Sequence, residues 1–441
     1  MKSVIWQAGL ALAIVGGLAG GARAQGPLVP PGPPGPGMKT LAQVEPRTLI
    51  TNLPYTISSA GSYYLGTNLE SSVGGITVIA TNVTIDLNGF ALISHGDFSY
   101  AVDGGWASQN VTVRNGAISK WGWGLRLLDQ ARLVHLLVSA STVDDDAAIK
   151  IGAHSAVTDC RITGNAGAGI WMGNSCRIAD CLANNNGWDA ITGGKDLVVE
   201  RCVATGNATY GIIGADHTTL AECVASGNGD TGLLLGEGSV IRNTTAISNR
   251  VIGMAVSDQC VVEGCTVSMN AESASGLLWG PAAILAGNGC VIKDCAVASN
   301  GLDGIAAQIG STVKDCSVMG NARHGIYVLD GSTVVGCTLR GNGGDGIQVT
   351  GGCRVQDNTC DQNGTLTNAA GIHGTQTSSR IEGNNTTYNN SAGIRLDAGG
   401  NVVVRNSSRG SASNYALAAG NDVGPIGSAT NNTSPWANIS Y

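Results

Sequence analysis

Short bursts of alternating apolar and polar residues recur every 21 residues between Asp159 and Asn342, with one insertion. Each unit carries a small core residue, then an Asn five residues later, then a Gly-Ile type pair. The first position is filled by Cys160, Cys181, Cys202, Cys223, Thr244, Cys265, Cys295, Cys316 and Cys337. The Asn position is filled by Asn165, Asn186, Asn207, Asn228, Asn249, Asn270, Asn300, Asn321 and Asn342. Since no apolar run has a helical period, the pattern predicts short strands joined by turns.

Identical short strands that follow one another can bury their apolar faces only by stacking. Equivalent residues would then lie about 4.8 Å apart, the spacing of paired strands. The recurring Asn would form a ladder of side-chain amides that bond coil to coil. The sequence therefore predicts an all-β, single-stranded parallel β-helix (a solenoid) over residues 81–410, with about 14–15 coils.

The two ends of the chain depart from this repeat. Residues 1–24 combine Lys2, an apolar run and Ala22-Arg23-Ala24, which is typical of a secretory signal peptide; a membrane anchor is the alternative. Residues 25–37 form a Pro/Gly linker. Residues 38–80 and 411–441 lack the repeat and are expected to cap the solenoid. A signal peptide places the protein outside the cytoplasm: secreted, periplasmic or on the cell surface.

Composition and charge narrow the function. The chain has 66 Gly, 12% charged residues and a formal net charge of −7, which argues against nucleic-acid binding. Most of the 13 cysteines stack in one column, where strand spacing holds their Cβ atoms too far apart for disulfides, so free buried thiols are expected. Cys260 and Cys290 fall in successive coils at a turn and could pair. No Cys/His spacing predicts a transition-metal site.

The Asn ladder, the Gly-Ile strand start and the Val-x-Asp-Cys-x-Val strand pair resemble right-handed parallel β-helix repeat proteins of the pectate-lyase-like superfamily. That superfamily includes pectate lyases, polygalacturonases, mannuronan epimerases and the periplasmic accessory protein of nitrous-oxide reductase. The resemblance covers about residues 80–410 and implies the fold together with a carbohydrate-active role. It leaves the reaction open, because the Asp-Pro-His motif of mannuronan epimerases is absent.

In each coil, the residue after the Gly-Ile pair should point outward. The resulting outer row reads Arg126, Lys150, Trp171, Thr192, Ile213, Leu234, Ala255, Leu285, Ala306, Tyr327, Gln348, His373 and Arg395. Three insertions fall just before this strand, within Thr142–Asp146, Ala271–Pro281 and Thr365–Ala370. Insertions in solenoids often surround the binding face, so this row is the candidate cleft for a polymer.

One candidate catalytic cluster lies two residues before the inward Ile in consecutive coils. Asp303, His324 and Asp345 should stack there beside Tyr327. Neighbouring carboxylates favour the imidazolium form of His, and Tyr can carry a proton. Such a group could abstract the C5 proton of a uronic acid. The alternative is that these Asp residues only form turns and that His324 is an exposed turn residue.

A second candidate cluster contains tryptophans and cations that could hold sugar rings and carboxylates. Its members are Trp121, Trp123, Arg126, Lys150, Trp171, Trp188 and Asp189, with His373 and Arg395 as further substrate contacts in the same row. The adjacent Asp144, Asp145 and Asp146 could bind Ca²⁺ through oxygen ligands; otherwise no cofactor is expected. The alternative is a solvated acidic turn with packing tryptophans.

These observations predict a monomer that binds a polysaccharide, with no membrane span and no nucleic acid. The leading hypothesis is a secreted polysaccharide lyase or uronate epimerase that acts on an acidic glycan, with a glycoside hydrolase less favoured. The alternatives are a non-catalytic carbohydrate-binding or adhesive rod, or a periplasmic accessory protein. Fold alone does not decide among them.

Overall fold

The computed structural model describes residue 39 and residues 41–96, 98–105, 108–270, 282–365 and 369–441. It divides into two units, Met1–Pro46 and Arg47–Tyr441. The first unit contains a four-residue helix, Leu41–Val44. The predicted signal peptide (1–24), the linker (25–37) and the insertion at 271–281 lie outside the described residues, as do 366–368 of the third insertion. Among the described residues, no helix has the length and apolarity to cross a membrane.

One sheet of the second unit, here called the platform sheet, takes one strand from each coil, and its strands pair in parallel with their neighbours along the chain. Its strands in the described residues are Tyr55–Ile57, Ile76–Val78, Tyr100–Asp103, Trp123–Leu127, Ala147–Ile151, Ala168–Met172, Ile191–Gly193, Ile212–Gly214, Leu233–Leu235, Met254–Val256, Ala282–Ala286, Asp303–Ala307, Ile326–Val328, Ile347–Val349, Ala370–Gly374, Ala392–Leu396 and Ser413–Leu417.

The rest of each coil contributes to a larger parallel sheet, mostly as two short strands separated by a corner. Its strands in the described residues are Thr48–Ile50, Gly61–Leu65, Leu69–Ser71, Val83–Asp86, Ala91–Ser94, Val111–Ser119, Arg132–Ser139, Ala156–Thr158, Arg161–Thr163, Arg177–Ala179, Leu182–Asn184, Val198–Glu200, Val203–Thr205, Thr219–Ala221, Val224–Ser226, Val240–Arg242, Thr245–Ile247, Val261–Glu263, Thr266–Ser268, Val291–Lys293, Ala296–Ala298, Thr312–Lys314, Ser317–Met319, Thr333–Val335, Thr338–Arg340, Arg354–Gln356, Thr359–Asp361, Arg380–Glu382, Asn385–Thr387, Val402–Val404, Ser407–Arg409, Asp422–Val423, Ile426–Gly427 and Asn438–Ser440.

The corner between these two strands uses left-handed backbone. Asp159, Asp180 and Gly264 have φ values of 52°, 57° and 64° directly before the cysteine position. Asp and Gly are among the residues that tolerate this region, since a short polar side chain can bond locally and Gly has no Cβ. The recurring Asp-Cys and Gly-Cys pairs therefore mark the corner of each coil.

Stacking in register confirms the predicted parallel β-helix. Asn186 Nδ2 donates to Asn207 Oδ1 at 2.9 Å, and Asn207 Nδ2 donates to Asn228 Oδ1 at 2.9 Å. The same bond links every neighbouring pair from Asn165 to Asn342 and continues to Asn363 and Asn389. These amides are buried and satisfied, which fixes the register of one coil on the next.

The cysteine column is also inside the solenoid. All thirteen cysteines are buried and free. Cys202 N–H donates to Cys223 Sγ (3.4 Å), and Cys260 N–H donates to Cys290 Sγ (3.4 Å), so Cys260 and Cys290 are stacked thiols and not a disulfide. Beyond Cys337 the column continues as a second amide ladder through Asn358, Asn384, Asn406 and Asn438.

The coils extend past the predicted boundaries. Fourteen of the described platform strands lie within residues 81–410, and three more lie outside: Tyr55–Ile57, Ile76–Val78 and Ser413–Leu417. Residues 48–78, part of the 38–80 segment expected to form a cap, pair in parallel as coils instead, and Ile57, Leu65 and Val78 are buried in their core. The repeat was invisible there because any apolar residue of suitable size fills the core.

Candidate functional site

The outer row of the platform sheet has the predicted register. Arg126 pairs with Lys150, Lys150 with Trp171, and the pairing continues rung by rung through Tyr327 and Gln348 to His373 and Arg395. The middle of the row is apolar, and it separates a polar cluster at each end. Nine rungs, or about 43 Å at the strand spacing, separate the rung of Trp171 from that of His373.

The histidine cluster comprises Asp303, Arg323, His324, Tyr327, Asp345, His373, Arg395 and Asp397. Its core is the predicted stack of three consecutive coils. The His324 N–H donates to Asp303 Oδ1 (2.8 Å), and the Asp345 N–H donates to His324 Nδ1 (3.1 Å). The structure therefore brings together Asp303, His324 and Asp345 as the 21-residue spacing predicted.

His324 faces a donor and an acceptor through the same ring nitrogen. Nδ1 accepts from the Asp345 N–H and lies 3.4 Å from Asp345 Oδ2. A neutral ring can therefore carry its proton on Nε2, or it can turn Nδ1–H toward the carboxylate and leave Nε2 as a base. The ring is 22% exposed and its centroid lies 6.3 Å from that of Tyr327. The two rings therefore lie side by side at the surface of the sheet.

His373, which was predicted from the sequence only as a substrate contact, also belongs to this cluster. Its Nδ1 lies 2.9 Å from Asp345 Oδ2 and its Nε2 lies 2.9 Å from Asp397 Oδ2. Arg395 Nε donates to the other oxygen of Asp397 at 2.8 Å. Sequence reasoning missed Asp397, although its place two residues after the outward Arg395 was a usable signal.

The surroundings move the pKa values of this cluster in opposite directions. Burial alone would raise the pKa of Asp345, but hydrogen bonds from His324, His373 and the Ala370 N–H outweigh it and lower that pKa. Burial would lower the pKa of His373, but Asp345 and Asp397 raise it. Burial raises the pKa of Asp303, whose Oδ2 has no partner among the described residues. Asp345 therefore ionises more readily than an ordinary carboxyl, and Asp303 less readily.

The raised pKa of His373 predicts a pH-dependent stability. Its contribution is full below its ordinary pKa of 6.5 and is lost as pH rises through the folded-state pKa. The contribution of Asp345 is full above its ordinary pKa of 3.8 and is lost as pH falls through its lowered value. The group is therefore most stabilising between about pH 4 and 6.5. In urea unfolding, His373→Gln should reduce the loss of unfolding free energy that the wild type shows as pH rises from about 5.5 to 8.5.

The matched control for this measurement is His95→Gln. His95 also faces a carboxylate, with Nε2 2.9 Å from Glu70 Oε2, but both side chains are more than half exposed. Exposed pairs contribute little to stability, so this variant should leave the pH profile as in the wild type. An unchanged profile in His373→Gln as well would contradict the predicted role of the Asp345–His373–Asp397 contacts.

The aromatic cluster comprises Tyr100, Asp103, Trp123, Asp145, Asp146, Arg126, Lys150, Trp171, Trp188 and Asp189. Each cation has both a carboxylate and a ring as neighbours. Arg126 donates twice to Asp103 (2.9 and 2.8 Å) and lies 4.5 Å from the centre of the Tyr100 ring. Lys150 donates to Asp146 (3.1 and 2.8 Å) and lies 4.5 Å from the centre of the Trp171 ring. These contacts fix the rings and the cations relative to the sheet.

The tryptophans divide into core and surface. Trp121, predicted to contact sugar, is 1% exposed and donates Nε1–H to Leu92 O (3.1 Å), so that expectation was wrong. Trp123 stacks on Tyr100 with ring centroids 5.0 Å apart. Trp171 and Trp188 are 47% and 50% exposed. Large aromatic rings left half in solvent are a common feature of ligand-binding surfaces.

Asp189 is held in one orientation beside Trp188. Its Oδ1 accepts from Thr209 Oγ1–H and from the Tyr210 N–H (3.2 Å), and its Oδ2 accepts from Thr192 Oγ1–H (3.2 Å). Such a carboxylate is a rigid acceptor for the hydroxyl groups of a bound molecule.

The predicted Ca²⁺ site does not form from the three consecutive aspartates. Asp146 pairs with Lys150, and Asp145 Oδ1 accepts from Trp123 Nε1–H (3.3 Å). In the described part of the chain, no group of three or more His, Cys, Asp or Glu side chains is placed to hold a metal ion. Asp145 and Asp146 are instead held by different partners, Trp123 and Lys150, which explains why the three carboxylates do not converge.

Comparisons with known proteins bear on the fold. No curated protein sequence matches the chain. Among solved structures, the chain is similar to the A-module of mannuronan C-5 epimerase AlgE4 from Azotobacter vinelandii, at 15% identity and a TM-score of 0.26 over 87% of this chain and 91% of that one. It is also similar to pectate lyase Pel9A (14%, TM-score 0.27, over 72% and 74%) and to the Dettilon tailspike protein (14%, TM-score 0.35, over 77% and 59%).

A family model described as the right handed beta helix region matches residues 68–220, 147–284, 212–364 and 308–433. These overlapping matches run through the stacked coils of both sheets, from Leu69–Ser71 to Ile426–Gly427. The predicted right-handed parallel β-helix is thereby confirmed. The chain belongs to the right-handed β-helix region family.

Proposed function

We propose that this protein is an exported polysaccharide-acting β-helix protein. In this proposal, the platform sheet binds an extended glycan, and the histidine cluster transfers a proton at C5 of a uronate residue, as a lyase or an epimerase. The single observation that carries the proposal is the placement of His324, whose Nδ1 faces both the N–H and the carboxylate of Asp345 while its ring reaches solvent. The signal-peptide pattern at the N-terminus supports export.

The reaction begins once Nδ1 of His324 gives up the hydrogen bond from the Asp345 N–H and carries the ring proton, which leaves Nε2 unprotonated. Nδ1–H then faces Asp345 Oδ2, which stabilises the imidazolium that forms when Nε2 takes the C5 proton. In elimination, the electron pair of the broken C5–H bond forms the C4–C5 double bond and the C4–O bond breaks. In epimerisation, a proton returns to C5 from the opposite face. His324 supplies the base in both cases.

Tyr327 supplies the acid. Burial raises its pKa, and nearby Asp303 adds to the shift, so the phenol stays protonated at neutral pH. Its ring lies beside that of His324 on the outer row. In elimination it protonates the leaving oxygen; in epimerisation it reprotonates C5.

Arg323 is placed to bind the uronate carboxylate. Its side chain is 46% exposed and its Nε lies 3.7 Å from Asp303 Oδ1, one residue from the proposed base. Since burial raises the pKa of Asp303, this neighbour is a weaker competitor for the guanidinium than an ordinary carboxylate. A cation at the substrate carboxylate stabilises the charge that develops when the C5 proton leaves.

A second candidate is a non-catalytic glycan-binding rod. It is favoured by one observation: both ring nitrogens of His373 and both oxygens of Asp345 already have partners within the chain, as expected for a network that ties coils together. In that case the exposed Trp171 and Trp188 would be the functional surface.

Incubation of the mature protein with a panel of polyuronates separates the two candidates. A lyase gives unsaturated product by ultraviolet absorbance, and an epimerase incorporates deuterium at C5 from D₂O, which NMR detects. Either product supports the proposed enzyme. Neither product from any polyuronate, with glycan binding retained, rejects the enzyme and leaves the binding rod.

A further inference from the structure

The charges of the aromatic cluster do not suit an anionic ligand. Its two cations, Arg126 and Lys150, are both closed in ion pairs, with Asp103 and Asp146 at 2.8 Å. Asp144 and Asp145 are exposed on the adjacent loop, and Asp189 adds a further carboxylate. This part of the surface therefore carries five carboxylates and two cations, and both cations are already paired with carboxylates. A uronate brought here would meet more repulsion than attraction.

The same surface offers groups that contact uncharged sugars. Trp171 and Trp188 are half exposed, although Lys150 lies over one face of the Trp171 ring. Asp189 is fixed by three donors, and a carboxylate so held can still accept from sugar hydroxyls. A cavity of about 310 Å³ opens between the two cations, lined by Gly105, Arg126, Leu127, Leu128, Lys150, Ile151 and Gly152.

From this charge balance and these exposed rings, we infer that the aromatic cluster is a subsite for uncharged sugar residues. The inference rests on the proposed function, in which one glycan lies along the platform sheet. The substrate is then a mixed polymer: uronate residues at His324, in the coil of Tyr327, and uncharged residues seven rungs, or about 34 Å, away at Trp171. Apolar contact with the rings and hydrogen bonds to Asp189 supply the affinity there, and the ion pairs hold the rings in place.

Isothermal titration of the full-length mature protein tests this subsite with two kinds of probe. The first kind is a panel of neutral hexasaccharides of glucose, mannose, galactose and xylose; the second is hexagalacturonate. At least one neutral probe should bind, with an affinity unchanged between low and high salt. Trp171→Ala should weaken that binding about tenfold, and Lys150→Gln by much less. Trp436→Ala, at a ring that is 48% exposed and lies outside the cluster, is the matched control and should leave that binding unchanged.

Asp146→Asn provides the opposite test. It removes the partner of Lys150 and one negative charge, so hexagalacturonate should gain affinity in a salt-sensitive manner. The inference is overturned if no neutral probe binds, or if the wild type binds hexagalacturonate here and Lys150→Gln abolishes that binding. Binding at this subsite needs no catalysis. A negative product assay would therefore reject the proposed enzyme and leave the neutral-sugar subsite standing.

Discussion

Asn207→Ala is expected to lower the free energy of unfolding by about 3–5 kcal/mol. The Asn207 side chain is 2% exposed and makes four hydrogen bonds. Its Oδ1 accepts from the N–H and the Nδ2 of Asn186, and its Nδ2 donates to Ala183 O and to Asn228 Oδ1. Alanine leaves buried donors and acceptors unpaired in two neighbouring coils, and no water can reach them without opening the stack.

Asn184→Ala is the matched control, because Asn184 makes none of the ladder hydrogen bonds to the coils on either side. Asn184 is in the coil before Asn207, is half-buried, and its Oδ1 has no partner among the described residues. Its replacement should cost less than about 1 kcal/mol. Asn207→Asp should also destabilise, because a carboxylate cannot donate to Ala183 O. Urea unfolding followed by circular dichroism measures all three. An Asn207→Ala effect as small as that of Asn184→Ala would refute the ladder as a source of stability.

The interior of the solenoid could be predicted from the sequence because stacking gives equivalent positions of every coil the same packing and hydrogen-bonding environment. A buried amide must find partners above and below, so Asn recurs at Asn165, Asn186 and Asn207 with a fixed spacing. The same logic identified the thiol column. At positions such as Ile57 and Val78 the core requires only an apolar side chain of suitable volume. Many residue types meet that requirement, so no repeat is visible in the sequence there.

The surface was harder to predict, because contacts there depend on side-chain reach and not on register alone. Register correctly placed Asp303, His324 and Asp345 together. It could not show that His373 bridges Asp345 and Asp397, which lie on coils on either side of it. Nor could it show that Trp121 turns into the core. The register of the platform sheet predicts where the two clusters lie. Their chemistry depends on ion pairs that are seen only in the structure.

Those ion pairs change the hypothesis about the glycan. The sequence suggested Arg126 and Lys150 as ligands for carboxylates, and Asp144–Asp146 as ligands for Ca²⁺. In the structure Asp103 and Asp146 neutralise the two cations instead. In the proposed function the uronate is bound instead by the half-exposed Arg323, which lies beside a carboxyl that burial makes harder to ionise. The proposed proton transfer and the inferred sugar stacking are therefore assigned to opposite ends of one surface.

His324→Gln is expected to lower kcat on the responsive polyuronate by about 10²–10⁴-fold, with a smaller change in KM. Glutamine can still accept from the Asp345 N–H through its side-chain oxygen, but it cannot take the C5 proton. The half-buried ring makes no ladder contact, so the unfolding free energy should stay within about 1 kcal/mol of the wild type. Steady-state kinetics with the product assay, together with urea unfolding, checks both expectations.

Gln348→Ala is the control for this variant, since Gln348 is the next outward residue after Tyr327 on the platform sheet and carries no proposed proton. It should retain kcat within a few-fold. Tyr327→Phe keeps the ring and removes only the acid, so it should lower kcat and remove the basic limb of the pH profile, while the acidic limb set by the base His324 remains. If His324→Gln and Gln348→Ala lose activity equally, the histidine positions substrate at most, and the base must be sought elsewhere along the row. If His324→Gln retains full kcat, His324 is excluded as the base, and His373 is a poor replacement because both of its ring nitrogens already have carboxylate partners.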